Sequence, residues 1–233
     1  MKQVLVIPDV HGRKFWKRAV ETHDSLPTVF LGDYVDPYPD DAISAEQTIE
    51  NLKEVIEFAK NNVGRVQLLS GNHDLPYYTN FINSTRHDRI HHVEIGEIFF
   101  KNRQLFAFAH QIGDVLFTHA GLTSAYMATE NVPTDADEIN KMFAQRYERL
   151  MYVSRYRGGF SRCGSIVWAD LREWFDTDER PEGVFQVFGH TQSRRPFIEK
   201  GHFAMLDVAG QGAFIMTIPD DYHEIDKSCF KMV

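Results

Sequence analysis

The stretch VLVIPDVHG, residues 4–12, contains the pattern that decides the fold of this chain. Residues 4–7 form a short apolar run of the kind found in buried strands. An aspartate, a histidine and a glycine follow at once: Asp9, His11 and Gly12. A glycine at such a position permits a tight turn and a close approach of the backbone. The stretch therefore predicts a strand that ends in a loop carrying polar, chemically active side chains.

The same pattern occurs four more times along the chain. The later stretches are VFLGDYVD at residues 29–36, VQLLSGNHD at 66–74, VLFTHAG at 115–121 and VFQVFGHT at 184–191. In open α/β sheets, ligands bind outside the carboxyl ends of the strands. A single aspartate or histidine there is usually a turn residue or a helix cap. Five such loops are not explained by capping, so we expect them to meet at one site.

The rest of the sequence predicts an α/β (α+β) fold with mixed sheets. Helices are predicted at residues 13–23 and 42–61, the second with apolar residues three and four apart and a capping box of Ser44 with Gln47. Further strands are predicted at 95–100, 105–109, 197–198, 203–206 and 214–218, a polar helical stretch at 124–152, and a loop rich in arginine and glycine at 155–162. No linker divides the chain, so we predict a single domain, residues 1–233.

Composition excludes several functional classes. Of 233 residues, 43% are hydrophobic, which is enough for a core, and 33 acidic against 25 basic residues give a net charge of −8. This balance disfavours a nucleic-acid polymer as partner. No apolar stretch approaches the roughly 18 residues that span a membrane, so no membrane partner is expected. The two cysteines, Cys163 and Cys229, are too few for a disulfide framework and favour a reducing, cytoplasmic location.

The five loops offer carboxylate, amide and imidazole donors but no thiolate. This donor set suits Mn²⁺, Fe or Zn²⁺, whereas Mg²⁺ is less compatible with several imidazoles. Two such ions about 3.5–4 Å apart can be bridged by a carboxylate and a hydroxide and can hold a phosphoryl group. The sequence therefore favours a metal centre that acts on phosphate esters.

The motifs DVHG, GDYVD, GNHD, THAG and GHT stand in the order seen in calcineurin-like metallophosphoesterases. The chain resembles most closely the serine/threonine phosphoprotein phosphatases of that superfamily, including their small bacterial and phage members. Trp168-Ala169-Asp170 and LDVAG at residues 206–210 resemble two further elements of that branch. The resemblance implies a four-layer sandwich, two mixed β-sheets flanked by helices, with a dinuclear site at one edge. We predict two divalent ions, with Mn²⁺ first and Fe or Zn²⁺ as alternatives.

The resemblance also implies a role for each matching residue. The implied metal ligands are Asp9, His11, Asp33, Asn72, His119 and His190, with Asp33 bridging both ions. His73 would be the general acid that protonates the leaving group, and Asp36 would orient its imidazole and favour its protonated form. The implied reaction is hydrolysis of phosphoserine, phosphothreonine, phosphotyrosine or another small phosphomonoester. Attack would come directly from a hydroxide that bridges the two ions.

One position departs from the family pattern. In the phosphoprotein phosphatases an arginine that grips the substrate phosphate follows the second motif, but here Pro37 and Tyr38 follow Asp36. A guanidinium suits phosphate oxygens, so another arginine is expected to replace it. The candidates are Arg13, Arg86, Arg89 and a loop cluster of Arg155, Arg157 and Arg162. Our prediction is the loop cluster as a group.

Two other functions stay open at this stage. The first is a nucleoside-polyphosphate hydrolase similar to diadenosine tetraphosphatases, a reading that the proline after Asp36 makes more plausible. The second is a non-catalytic scaffold of the same fold, which the complete ligand set disfavours. His91, His92 and His110 are predicted to have no role in the site. Asp170 and Asp207 are equally consistent with ligand-orienting groups and with buried turn residues.

Overall fold

The computed structural model describes residues 1–79 and 85–233, which form two mixed β-sheets packed face to face. In spatial order, the first sheet consists of β11 (Phe230–Met232), β10 (Phe214–Ile218), β1 (Lys2–Ile7), β2 (Thr28–Phe30), β3 (Val66–Leu69) and β4 (Phe106–Ala107). The second consists of β5 (Ala109–Ile112), β6 (Val115–Thr118), β7 (Phe185–Phe188), β9 (Phe203–Met205) and β8 (Phe197–Glu199).

The strands that precede the five polar loops are parallel within each sheet. In the first sheet β1, β2 and β3 run parallel, and β10 pairs antiparallel with β1. In the second sheet β6 and β7 run parallel, and β5 forms an antiparallel hairpin with β6. The carboxyl ends of parallel strands lie at the same edge of a sheet, so three loops gather on one sheet and two on the other. The predicted fold class is confirmed.

In the part of the chain that the structure describes, five helices cover the outer faces of the sheets. They are α1 (Phe15–Thr22), α2 (Ala45–Asn61), α3 (His92–Lys101), α4 (Ser124–Glu130) and α5 (Ala136–Gln145). The predicted capping box of α2 is confirmed: the Ser44 hydroxyl accepts from the Gln47 N–H at 3.2 Å, and Gln47 Oε1 accepts from the Ser44 N–H at 2.9 Å. This box satisfies two backbone donors at the start of the helix.

The core is divided by the alternation of side chains along each strand. On β1, Leu5 and Ile7 pack with the helices α1, α2 and α3, whereas Val4 and Val6 pack against the second sheet. On β6, Phe117 faces the first sheet and Leu116 lies under α4 and α5. Both faces of these strands are buried, which explains why they appear in the sequence as unbroken apolar runs.

The predicted strand at residues 95–100 is wrong, because this segment lies in helix α3. Its isoleucines and phenylalanines are typical of strands, but Ile95 and Phe99, four residues apart, are the buried pair, and Phe100 is exposed. Glu97 and Lys101, also four apart, form an ion pair at 2.8 Å on the outer face. A helical period of burial therefore prevails over strand propensity.

The predicted strand at 105–109 is divided in the structure. Its first part is β4 in the first sheet, and Ala109 begins β5 in the second. The predicted loop at 155–162 begins with a single 3₁₀ turn, Arg155–Arg157. Across residues 1–79 and 85–233, no helix combines the length and the apolar character needed to traverse a bilayer.

Candidate metal centre and active site

The loops after β1, β2, β3, β6 and β7 bring all six predicted metal ligands together. Asp9, His11, Asp33, Asn72, His119 and His190 are all buried. Two groups share Asp33: one contains Asp9 and His11, the other His119 and His190, and within each group the donor atoms lie within 4.8 Å of one another. Asn72 joins the second group, because its Oδ1 lies 3.0 Å from His119 Nε2.

The carboxylate of Asp33 lies between the two groups. Its Oδ2 is 3.5 Å from His11 Nε2 and 3.5 Å from His119 Nε2. Its Oδ1 accepts a hydrogen bond from the backbone N–H of His73 at 2.8 Å. One oxygen is thus held by the backbone, and the other faces both imidazoles.

Backbone carbonyls orient two of the histidines. His11 Nδ1 lies 2.8 Å from the carbonyl of Val35, and His119 Nδ1 lies 2.8 Å from the carbonyl of Leu31. A hydrogen bond from Nδ1 fixes the tautomer and leaves the Nε2 lone pair for a metal. His190 Nε2 is buried, and no hydrogen-bond partner for it is found in the described part of the chain. The donors are therefore oriented for metal ions.

The loops are held in strained conformations that bring the ligands close. His11, Asp33, Asp36 and His190 all have positive φ angles, between 46° and 66°. Non-glycine residues rarely adopt this region, and such residues cluster at functional sites. A Cβ on Gly71 would collide with Asp33 Oδ1, so only glycine lets this carboxylate approach β3. A Cβ on Gly189 would likewise collide with Asp9 Oδ1.

Asp74 ties the second and third loops together, a role that the sequence analysis did not assign. Its carboxylate accepts the backbone N–H groups of Asp33, Tyr34 and Gly71 at 2.8–2.9 Å. Asp74 is fully buried. Its place directly after Asn72 and His73 was the available signal, but the sequence could not show which N–H groups it meets.

The electrostatics of the centre favour cations. Burial raises the pKa of Asp33 well above its ordinary value, and the nearby Asp9 carboxylate adds to the rise. Burial likewise raises the pKa of Asp207 to about 8, with Asp9 again contributing. Burial lowers the pKa values of His11 and His190 well below their ordinary range. Neutral imidazoles bind metals, and a divalent ion offsets the cost of burying carboxylates. The residues present therefore fit divalent metal ions.

His73 and Asp36 form a buried pair beside the metal ligands. His73 Nδ1 lies 2.8 Å from Asp36 Oδ2. The other oxygen of Asp36 accepts a hydrogen bond from the Tyr77 hydroxyl, which itself accepts the Asp88 N–H at 2.8 Å. His73 Nε2 lies 3.2 Å from Nη2 of Arg86. Asp36 thus orients the imidazole so that Nε2 lies beside the Arg86 guanidinium.

The expectation that Asp36 favours the protonated form of His73 meets an opposing effect. Burial lowers the pKa of His73 well below its ordinary value, and the neighbouring Arg86 guanidinium lowers it further. A negatively charged group bound beside His73 would act in the other direction and favour the imidazolium. An anion bound there would therefore raise the pKa of His73.

A cavity of about 570 Å³ opens above the centre. Its polar wall is formed by His11, Asp33, Asn72, His73 and His190, and its rim by residues that include Tyr38, Arg86, Arg157, Phe160 and Trp168. Phe160 is fully exposed at the rim. The cavity is therefore polar at the predicted metal ligands, and its lining also includes two arginines and three aromatic side chains.

The predicted arginine cluster is divided by the structure. Arg157 lines the cavity, but its Nε pairs with Asp170 at 2.8 Å and its Nη2 donates to Thr191 Oγ1 at 2.7 Å. Arg155 and Arg162 are exposed and lie outside the cavity lining. Asp170 therefore positions Arg157.

Several other arginines and histidines considered in the sequence analysis lie outside the cavity lining. Arg13 pairs with Asp41 at 2.8 Å, and Arg89 is exposed. His91 pairs with Asp88 at 2.8 Å. His110 lies on β5, away from the cavity lining. These placements leave Arg86 and Arg157 as the candidate arginines at the cavity.

Comparison with known proteins identifies the family of the chain and several similar structures. The sequence model of the calcineurin-like phosphoesterase family matches residues 2–198. Among curated proteins, none matches the chain significantly. A cold-active protein-tyrosine phosphatase from a psychrophilic Shewanella species has a similar structure, with a TM-score of 0.60 and 14% sequence identity, over 100% of this chain and 80% of that one.

Two further solved structures align at lower similarity. A protein serine/threonine phosphatase from Saccharomyces cerevisiae aligns over 98% of this chain and 78% of its own, with a TM-score of 0.49 and 13% identity. A metallophosphoesterase from Sphaerobacter thermophilus aligns over 99% and 88%, with a TM-score of 0.45 and 14% identity. The family match, together with the buried carboxylate and imidazole donors, shows that the chain belongs to the calcineurin-like phosphoesterases and is a metal-dependent hydrolase of phosphoester bonds.

Proposed function

We propose that the protein is a phosphomonoesterase that uses two divalent ions, Mn²⁺ first among them, and His73 as its general acid. The observation that carries this proposal is the position of Asp33, whose Oδ2 lies 3.5 Å from an imidazole of each ligand group. A carboxylate shared in this way suits two ions better than one. His73, which pairs with Asp36, lines the same cavity.

The chain's own residues have distinct tasks in this reaction. Bound divalent ions would polarise the phosphoryl group and supply a strong nucleophile at neutral pH. The residues that would hold those ions are Asp9, His11, Asp33, Asn72, His119 and His190. His73 donates a proton from Nε2 to the leaving oxygen, while Asp36 keeps Nδ1 in place. The phosphate charge of the substrate favours the imidazolium form and so prepares the acid.

The proposed substrates are phosphoserine, phosphothreonine or phosphotyrosine in peptides, or small phosphomonoesters of similar chemistry. Three aromatic side chains line the cavity, Tyr38, Phe160 and Trp168, and support a substrate that presents its phosphate on a side chain. The similar Shewanella structure is that of a protein-tyrosine phosphatase, which agrees with this class. We place the protein in the cytoplasm on the basis of its two free cysteines, Cys163 and Cys229.

A nucleoside-polyphosphate hydrolase is the second candidate. It is favoured by Pro37, which stands where the phosphoprotein phosphatase pattern has an arginine. Its substrate would expose a phosphoanhydride, whose leaving group needs less protonation than an alkoxide. The loss of activity on substitution of His73 therefore distinguishes the two functions. Substrate preference distinguishes them equally well.

The test compares substrates and variants after reconstitution with Mn²⁺. The substrates are p-nitrophenyl phosphate, phosphoserine and phosphotyrosine peptides, bis-p-nitrophenyl phosphate and diadenosine tetraphosphate. We expect the monoesters to be hydrolysed fastest. His73→Asn should lower kcat by roughly 10²–10⁴ on a phosphoserine peptide, the usual contribution of a general acid, with metal content retained. Asp33→Asn should lose bound metal and turnover together.

Exposed residues of the same types provide matched controls. His223→Asn and Asp220→Asn change side chains on the surface and should leave activity and metal content unchanged. Undiminished hydrolysis by both site variants would contradict the assignment. Diadenosine tetraphosphate as the best substrate, with no loss in His73→Asn, would establish the second candidate instead.

A further inference from the structure

We propose that Arg86 binds the phosphoryl oxygens of the substrate, taking the place of the arginine that is absent at Pro37. The inference rests on the proposed phosphomonoesterase function and adds to it the residue that grips the phosphate. Arg86 follows the GNHD motif by twelve residues and is not part of any of the five loops. Its role is therefore visible only in the structure.

The position of the guanidinium is the first argument. Nη2 of Arg86 lies 3.2 Å from His73 Nε2 and 3.5 Å from His11 Nε2. His11 Nε2 is a proposed metal donor and His73 Nε2 is the proposed proton donor. A phosphoryl group must lie between the metal ions and the acid that protonates its leaving oxygen. Arg86 therefore lies beside the place that the phosphoryl group must occupy.

The segment that lacks the family arginine holds Arg86 instead. Nε of Arg86 donates to the carbonyl oxygen of Asp36 at 3.0 Å. The guanidinium carbon lies 3.7 Å from the ring centroid of Tyr38, a close stacking contact. Asp36 and Tyr38 are the two neighbours of Pro37. They fix both the plane and the direction of the guanidinium, so its remaining N–H groups point toward the cavity.

Charge pairing separates Arg86 from the other arginines. Arg157 and Arg13 each form an ion pair with a carboxylate, Asp170 and Asp41 respectively, both at 2.8 Å. Within residues 1–79 and 85–233, no carboxylate forms an ion pair with Arg86. Its positive charge is therefore available for an anion, and a guanidinium binds phosphate oxygens in a bidentate manner.

The test uses the full-length, Mn²⁺-loaded protein and inorganic phosphate as a probe. Arg86→Gln should raise KM for p-nitrophenyl phosphate about 10- to 100-fold and should weaken inhibition by inorganic phosphate by a similar factor, as expected when a charge-assisted hydrogen bond is lost. Arg86→Lys retains the charge but lacks the fork and the stacking plane, so it should fall between wild type and Arg86→Gln. Metal content should stay unchanged in both variants.

Three controls make the test specific. Arg89→Gln removes an exposed arginine three residues away and should change neither KM nor inhibition by phosphate. Tyr38→Ala, which removes the stacking surface, should resemble Arg86→Lys. Arg157→Gln measures the other cavity arginine and should have the smaller effect on inhibition by phosphate.

The possible failures are distinguishable. A wild-type protein that hydrolyses no phosphomonoester would refute the proposed function itself. A wild-type protein that is active, with unchanged KM and phosphate inhibition in Arg86→Gln, would overturn only the role of Arg86. A larger loss of phosphate inhibition in Arg157→Gln than in Arg86→Gln would also overturn it and would assign the phosphate-binding role to Arg157.

Discussion

Tyr77 contacts Asp36, which in turn contacts the proposed general acid, His73. Its hydroxyl donates to Asp36 Oδ1, while Asp36 Oδ2 meets His73 Nδ1 at 2.8 Å. Tyr77→Phe removes this donor and loosens the orientation of the carboxylate, so we expect kcat to fall about tenfold, the effect of one hydrogen bond to a charged group. KM and metal content should not change, which steady-state kinetics and metal analysis would show.

The neighbouring tyrosine is the matched control. Tyr78 donates its hydroxyl to Ser70 Oγ at 2.7 Å, a contact outside the cavity lining. Tyr78→Phe loses a buried hydrogen bond but should retain wild-type kcat. Equal losses of kcat in both variants would show that Tyr77 acts through stability rather than through Asp36.

Asp207 gives the metal-free protein a characteristic dependence on pH. Its pKa in the folded state is about 8, whereas an unfolded aspartate titrates near 4. The folded state therefore binds more protons between these values, and stability falls as pH rises toward 8, by up to about 1.4 kcal/mol per pH unit for one group. Asp207→Asn should remove that part of the slope, because an amide does not ionise. It can still accept the Ala209 N–H that now bonds Asp207 Oδ1 at 2.9 Å.

Denaturant unfolding of both proteins in EDTA, between pH 6.5 and 8.5, measures this difference. The buried histidines are common to both proteins, so they cancel from the comparison. Parallel curves for wild type and Asp207→Asn would show that Asp207 does not carry the proton.

At the scale of elements, helix α3 makes a close contact, through Gly96, that could not be predicted from its sequence. A Cβ on Gly96 would collide with the carbonyl oxygen of Tyr77, so the helix packs closely on the turn that carries the Asp36 partner. Alanine has a helix propensity about 1 kcal/mol better than glycine. Overpacking costs about 1–3 kcal/mol, so Gly96→Ala should lower the free energy of unfolding.

Val93→Ala, at an exposed position of the same helix, should change that free energy by less than about 0.5 kcal/mol. Urea denaturation would measure both variants. A stabilised Gly96→Ala protein would show that the turn moves aside freely.

Whether a structural feature could be predicted from the sequence depends on how far apart along the chain its interacting residues lie. The strands β1, β2 and β3 and their loops were predictable, because apolar runs and the polar residues after them are local signals. Helix α3 was not, because Ile95 and Phe99 suit a strand as well as a helix until burial on the first sheet selects the helical period. Arg86 could be named as a candidate but not chosen, because its stacking on Tyr38 joins residues 48 positions apart.

For the whole molecule, the centre joins the two sheets. Asp9, His11, Asp33 and Asn72 follow strands of the first sheet, and His119 and His190 follow strands of the second. Bound metal should therefore stabilise the contact between sheets, by about 4 kcal/mol for one site at a thousand times its Kd. We expect Mn²⁺ to raise Tm above that of the EDTA-treated protein and to slow amide exchange after β6 and β7.

The variant Asp33→Asn should lose most of this rise in Tm, whereas Asp220→Asn, an exposed carboxylate, should retain it. Calorimetry and hydrogen exchange measure the two effects. A rise of equal size in Asp33→Asn would place the stabilising ions elsewhere.

The antiparallel pairing of β1 with β10 also sets the order of events during translation. Lys2 lies opposite Ile218 and Val6 opposite Phe214, so β1 acquires this neighbour only after the residues between the two strands have been synthesised. At roughly 5–20 residues per second, the intervening chain takes on the order of 10–40 s to synthesise. During that interval one edge of β1, the strand that leads to Asp9 and His11, presents unpaired backbone groups. The nascent chain thus contains every proposed ligand side chain before the loop with Asp9 and His11 has its final support from β10.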